Sequence, residues 1–414
     1  MSEGGRLLWR TFPSERENKL CRAFTKEDRN MSKPIVVVTT VGTSILTNLA
    51  RSAPDPAGTR RAITVNSNLK KQDDLSGDDD RQSIEWVLQR AEQGRTDWSP
   101  KKAAELSAEL NGLIALAERE EVEPKEMYHY LFCTDTWLGG AAADTVEAWL
   151  KSNGAQVVCK MTIDGLRTDD LGSYRNGAAS LIGEWEKEIR AGYLDDDKGR
   201  VIVNLTGGFK AVHGLMQTIA TVDQCEAVYL FEGKGKLLSL PPLPVSLDFE
   251  GVAQTHGQLL RRLEIGIATD SDAEALPETY RWEIDGTWGL SEWGELVWNK
   301  VKPVWYRQGL LEPPSDRVDL GKDFRKEAEK RGKAARDRFL ELNKRIDDLE
   351  RIADGTDGKE QNLDSLRVRP WVRRKDEGLF LANAWSDRDA RRLVVARSPE
   401  GGWVVRDLIS HDEE

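Results

Sequence analysis

The 414-residue sequence predicts an α/β fold followed by an α+β fold: a doubly wound parallel sheet, a small helical connector, then two helices on an antiparallel sheet. Three observations carry this. The β-branched run IVVVTT at 35–40 has no polar face, as in a strand covered on both sides. Strand-like and helix-like segments then alternate for about 200 residues, the pattern of an open parallel sheet. Past residue 315 the texture changes to a helical hairpin followed by three short strands. A chain of this length exceeds one ordinary core, so two or three domains are expected.

Residues 1–30 are polar and unpatterned, and MSKPIVVVTT reads as a fresh start, so a flexible extension should precede a first domain at 31–248. The stretch from SAPDPAGTRR to LSGDDD reads as a polar surface loop. SIEWVLQRAEQG and AAELSAELNGLIALAERE have helical spacing, and MYHYLFCTDT reads as a strand. GGAAADTVEAWLKSNG follows as a helix ended by Gly154, AQVVCKMTI as a strand, and AASLIGEWEKEIRAG as a helix. Then come the strand Val201–Leu205, a helix from Lys210 and the strand EAVYLFEG. LPPLPVS forms a proline-rich exit. The connector, 249–315, carries tryptophans at 282, 288, 293, 298 and 305. Ser291 is a good N-cap, with Trp293, Leu296, Val297, Val301 and Val304 on one helical face. EPPS marks the boundary to the last domain, 316–414. Its helices are divided at Gly332, and GLFLANAW, RRLVVARS and WVVRDLIS read as strands, the last two joined by the turn PEGG.

The net charge of −11 argues against a general nucleic-acid coat. From Gly321 to Arg397, however, 21 Lys plus Arg stand against 16 Asp plus Glu, so a polyanion site belongs there. Cys21, Cys133, Cys159 and Cys225 are scattered in or beside apolar segments and read as reduced core thiols, with no metal site expected. No stretch approaches ~20 apolar residues and no signal-peptide pattern opens the chain, so a soluble, cytoplasmic protein that touches no membrane is expected.

Two strands end in hydroxyl and glycine corners, TTVGTSILTN at 39–48 and NLTGGFK at 204–210. Glycines let backbone amides approach an anion, a helix start adds partial positive charge, and Lys210 adds a full one. The corners fit neither the P-loop nor the dinucleotide spacing. The pair IVVVTTVGTSILTN and VIVNLTGGFKAVHG, over residues 31–250, resembles the CARF domain, the Rossmann-like sensor of type III CRISPR systems. That resemblance implies binding of a cyclic oligoadenylate, most simply cyclic tetra-adenylate, as an activator. The matching pocket residues are Gly42, Thr43, Ser44 and Asn48 in the first corner and Thr206, Gly207, Gly208 and Lys210 in the second. FCTDTWLGG adds Thr134, Asp135 and Thr136. Of the histidines, only His213 lies where it would touch a nucleotide. A ring with internal symmetry is most simply read by a homodimer.

Residues 316–411 resemble RelE-family mRNA interferases, and RRLVVARSPEGGWVVRDLISH resembles their closing hairpin. The resemblance implies a metal-independent endoribonuclease without cofactor that cuts mRNA on the ribosome, by 2′-hydroxyl attack leaving cyclic phosphate ends. Cutting RNA this way needs a base, cations around the transition state and an acid for the leaving oxygen. Arginine suits the second task, because its planar fork stays charged and binds two phosphate oxygens. Arg392 matches the phosphate-facing arginine and His411 the general acid. Arg373, Arg374, Lys375, Arg388 and Arg391 cluster around the same strands, and Glu360 is the candidate base. The lysines that some members carry on the first strand are absent from LANAWSD. With a winged-helix-type connector between sensor and nuclease, the whole resembles the CRISPR-Cas-associated mRNA interferases.

Two other readings are open. Arg406 and His411 have the spacing of a HEPN ribonuclease motif, which requires them on a helix. A ligand-gated winged-helix transcription regulator would read DNA with the helix near 291–307, whose lysines are balanced by glutamates and whose tryptophans face inward.

Overall fold

The computed structural model describes residues 33–75, 77–167, 171–231, 235–244, 246–284, 286–353, 366–387 and 389–413. The chain divides at residues 245/246 into two compact units.

The first unit begins with β1 (Ile35–Val41), followed by α1 (Ser44–Leu49), α2 (Pro56–Val65), α3 (Asp78–Gly94), α4 (Pro100–Leu106) and α5 (Ala108–Glu120). There follow β2 (Tyr128–Thr134), α6 (Trp137–Ser152), β3 (Val158–Ile163), α7 (Leu171–Glu184), β4 (Arg200–Asn204), α8 (Lys210–Val222), β5 (Glu226–Phe231) and β6 (Lys236–Leu240). The sheet runs β3-β2-β1-β4-β5-β6, parallel except for the antiparallel β6. Val36, Val37 and Val38 are wholly buried, which is why the run that encodes β1 lacks a polar face. The strand order reverses between β1 and β4, where the loops leaving their carboxyl ends diverge and make a crevice.

Local chemistry accounts for several departures from the sequence reading. The expected loop after α1 contains α2, which Asp55 caps by accepting from the Gly58 amide, with Pro56 at its first position. AAELSAELNG is two helices, because Ser107 caps α5 through the Leu110 amide. The helix through AASLIGEWEKEIRAG passes into a π-helical segment, Trp185–Leu194. Cys133 and Cys225 are buried free thiols, whereas Cys159 is joined in a disulfide, contrary to the expectation of four reduced cysteines.

The second unit contains α9 (Phe249–Ile265), α10 (Asp270–Glu274), the hairpin β7 (Arg281–Ile284) and β8 (Thr287–Leu290), and α11 (Glu292–Tyr306). It continues with β9 (Val318–Leu320), α12 (Lys322–Ala334), α13 (Asp337–Ile352), β10 (Arg369–Pro370), β11 (Leu379–Trp385), β12 (Arg391–Arg397) and β13 (Trp403–Ser410). The second sheet runs β10-β11-β12-β13-β9, antiparallel except for the β9–β13 pair. Phe324, Ala328, Leu342, Ile346 and Leu349 of α12 and α13 pack on Leu393, Val395, Trp403 and Val405. Ser291 caps α11 as expected, but the helix buries Leu296, Trp298 and Val301 and leaves Val304 40% exposed, so its inner face is rotated from the predicted one. Gly332 lies inside α12, where a Cβ would come within 2.2 Å of the Phe339 ring; it permits the close approach of the hairpin and does not end the helix.

Among the described residues, no helix is long and apolar enough to cross a membrane.

Candidate functional site: two glycine corners and an arginine-bearing sheet

The corners after β1 and β4 meet at the reversal of strand order. A Cβ on Gly42 would lie 3.0 Å from the Gly208 Cα, so the backbones touch where side chains would collide. Gly208 has φ +107°, a conformation that favours glycine. The carbonyl of Gly207 accepts from the Thr40 hydroxyl at 2.5 Å and meets Nε2 of His213 at 2.6 Å. His213 therefore braces the corner from the first turn of α8. The N-cap of α8 is Phe209, which makes no side-chain capping bond, and Lys210 is exposed there.

The sequence reading missed Glu109, which organises the first corner. Its side chain is fully buried. Oε1 accepts from the Gly42 amide at 2.9 Å, and Oε2 accepts from the hydroxyls of Ser44 at 2.5 Å and Ser107 at 2.7 Å. Ser44 in turn accepts from the Ala108 amide. Asn48 donates to the carbonyl of Leu106, and Thr43 is half-buried at the N-cap of α1 without a side-chain capping bond. In the second corner, Thr206 Oγ1 accepts from the Leu230 amide, and the Thr206 amide donates to Asn204. Asn204 also donates to the Glu109 carbonyl. A cavity of about 180 Å³ lies beside Thr206, lined by Ala108, Asn111 and the end of β5.

The β2 corner is held differently. Thr134 and Thr136 are buried and bonded to each other at 2.8 Å, and Thr136 caps α6 through the Gly139 amide. Both therefore serve the fold. Asp135 accepts from the Gly165 amide at 3.1 Å and pairs with Lys70 at 2.7 Å. Burial pushes its carboxyl upward, but Lys70 and the Gly165 amide outweigh that and hold it below the usual carboxylate range.

In the second unit, β12 and β13 bring Arg391, Arg392 and His411 to one end of the sheet, whereas the turn carrying Arg373 and Arg374 leads into Leu379, which pairs with Ala396 at the other end, so these two arginines do not join the expected cluster. Arg391 lies opposite Ser410 and Arg392 opposite Ile409, and the His411 amide donates to the Ala390 carbonyl. Successive strand residues point to opposite faces. Arg392 thus shares the face of Val394 and Ala396, away from α12 and α13, whereas Arg391 shares the face of Leu393 and Val395. Arg391 pairs with Asp389 at 2.8 Å, and Asp389 also meets Arg331 of α12. The Arg392 face is partly covered by Trp371, which packs with Leu379, Leu381, Val394 and Ala396. Arg373 and Arg374 are exposed on the turn after Trp371; Arg374 stacks on the Trp371 ring, 5.1 Å from its centroid, and pairs with Glu377. Glu360 and Arg388 lie outside the described residues, and so does the Lys375 side chain. Arg406 sits in β13 and His411 in a 3₁₀ turn, so these two do not share a helix.

Among the described residues, no group of three or more His, Cys, Asp or Glu side chains is placed to hold a metal ion. Residues 104–243 match a family described as CRISPR-associated protein (Cas_APE2256). The matched stretch holds Glu109, the β2 corner and the whole β4 corner, and it supports a CRISPR-associated family for this part of the chain. No curated protein matches the chain.

Proposed function

We propose that this chain is a CRISPR-associated effector in which a cyclic oligoadenylate, cyclic tetra-adenylate, binds the first unit and activates the second as a RelE-type mRNA endonuclease. The observation that carries the sensor half is the contact of Gly42 with Gly208 at the strand-order reversal, within a fold whose matched segment is CRISPR-associated. Lys210 and the start of α8 supply positive charge for phosphates. The adjoining cavity of about 180 Å³ is smaller than the ~300–1,000 Å³ of usual ligand pockets. A four-nucleotide ring would accordingly lie across the open edge and be shared by two copies of the chain.

The nuclease half rests on two helices over an antiparallel sheet, with Arg392 on the face away from the helices and His411 at the same end. Arg392 would hold the charged phosphate in the transition state, and His411 would protonate the leaving 5′-oxygen. With so few catalytic groups, the ribosomal A site would position the message and supply part of the geometry. Arrested translation in a cytoplasmic antiviral response is the outcome. The HEPN reading loses support from the placement of Arg406 in a strand. The regulator reading loses it from the burial of Lys300, 5% exposed, in α11.

The test is cleavage of naked RNA and of mRNA on programmed ribosomes, each with and without cyclic tetra-adenylate or cyclic hexa-adenylate. Ligand-dependent cutting on ribosomes alone is expected; equal cutting of naked RNA would sink the A-site proposal, and specific DNA binding without cleavage would favour a regulator.

A further inference from the structure

We infer that Glu109 decides where the anionic parts of the ligand bind: its carboxylate occupies the anion-holding groups of the first corner, so phosphates are confined to the second corner and the first receives an uncharged nucleoside moiety. The inference rests on the sensor reading above and assigns orientation within that site.

The first corner resembles an anion site that the protein has already filled. The Gly42 amide and Ser44 hydroxyl, both of the type that grips a phosphate, donate to Glu109 instead. Ser107 supplies a third donor, so a fully buried charge is matched by three hydrogen bonds. A phosphate that displaced Glu109 would strand that charge in the interior, which proteins avoid. A phosphate placed beside it would meet a like charge in surroundings of low dielectric constant.

The second corner has the opposite character. Lys210 is exposed there, and Phe209 at the N-cap makes no side-chain capping bond to the helix that starts there. Glu109 touches this corner as well, since a Cβ on Gly207 would lie 2.2 Å from Oε1 and glycine is needed for the carboxylate to fit, but its hydrogen bonds go to Gly42, Ser44 and Ser107. The same residue thus closes one corner to anions and supports the backbone of the other.

Glu109→Gln separates charge from shape. Its amide oxygen still accepts from Gly42, and the serine hydroxyls can rotate to accept from its NH2 group. With the full chain, titration with cyclic tetra-adenylate and with uncharged adenosine should give about tenfold tighter binding of the cyclic ligand by the variant. Adenosine binding should stay within about twofold, and the salt dependence of cyclic-ligand binding should persist through Lys210. Unchanged or weaker cyclic-ligand binding at an unaltered melting temperature overturns the inference. Wild-type protein that binds no cyclic tetra-adenylate overturns the sensor reading instead, and the two failures are thereby told apart. Should Glu109→Gln not fold, Ser44→Ala decides: a lower melting temperature with affinity within about twofold supports a serine spent on Glu109, and a loss of about tenfold or more, at an unaltered melting temperature, overturns it.

Discussion

Arg261 in α9 and Asp347 in α13 form an ion pair that solvent does not reach, Arg261 Nε donating to Asp347 Oδ1 at 2.5 Å. Tyr306 of α11 donates to the second carboxylate oxygen at 2.5 Å, and Arg261 Nη1 donates to the Glu312 carbonyl at 2.7 Å. Asn343 adds bonds to the carbonyls of Tyr306 and Gly309. One buried carboxylate therefore joins helices from both sides of the 315/316 boundary. Arg261→Ala should destabilise the second unit by about 3–5 kcal/mol, because it leaves the buried Asp347 with only the more distant Lys302, 3.9 Å away, as counter-charge. Replacing the pair together by Met and Leu should cost less. Urea unfolding of both variants measures the difference.

Glu295 in α11 adds a pH dependence to the same helices. Burial first, and the charge of Glu264 second, push its carboxyl up to about 7, against the pull of Lys302 and Arg351. A carboxyl with a folded pKa above its unfolded value of about 4.3 is protonated in the folded state over the interval between the two. Stability therefore falls as pH rises from about 4 to about 7, and the penalty is complete above that. Glu295→Gln should flatten this limb and raise stability at pH 8 by roughly 2 kcal/mol, read from thermal unfolding across the range.

Two glycines near the second corner should respond in opposite directions. Gly208→Ala combines a φ of +107° with a Cβ only 2.8 Å from Thr40 Oγ1, so a loss of about 1–3 kcal/mol and weaker ligand binding are expected. Gly214 lies in α8 with open space around its Cβ position, and Gly214→Ala should add about 0.5–1 kcal/mol. Calorimetric melting of both variants checks the pair.

Lys210→Ala should weaken cyclic tetra-adenylate binding at least about tenfold and leave the melting temperature unchanged, since Lys210 is exposed. Binding titration at fixed salt measures this, and a loss of fold would contradict it.

The two neighbouring arginines of β12 should behave unlike one another. Arg392→Ala should lower ribosome-dependent cleavage by about 10²–10³. Arg391→Ala should act mainly on stability through its pair with Asp389. Single-turnover cleavage and melting of each variant separate the roles; equal catalytic losses would contradict the assignment by faces.

Much of the fold was legible because the apolar runs of β1, β2 and β4 are nearly unbroken and the apolar spacing of α13 is regular. Where the reading went astray, short-range chemistry or packing decided. α2 hides in a polar stretch because its helix depends on Asp55 and Pro56 at its start, with little apolar surface to reveal it. β9 and β10 are three and two residues long and exist only by pairing with β13 and β11. The face of α11 turned because Trp298, not Val304, fits between Leu260, Tyr306 and their neighbours.

The sequence by itself determined the alternation of strands and helices, the change of texture past the proline-rich exit, and the two glycine corners, since each follows from periodicity or from residues with special backbone freedom. Only the tertiary structure decided which groups of those corners are already engaged. Glu109 stands 67 residues from Gly42, and no local pattern reports that it takes up that amide's hydrogen bond. The same holds for Arg391 and Arg392, adjacent in sequence and identical in chemistry, which the pleat of β12 sends to opposite faces of one sheet.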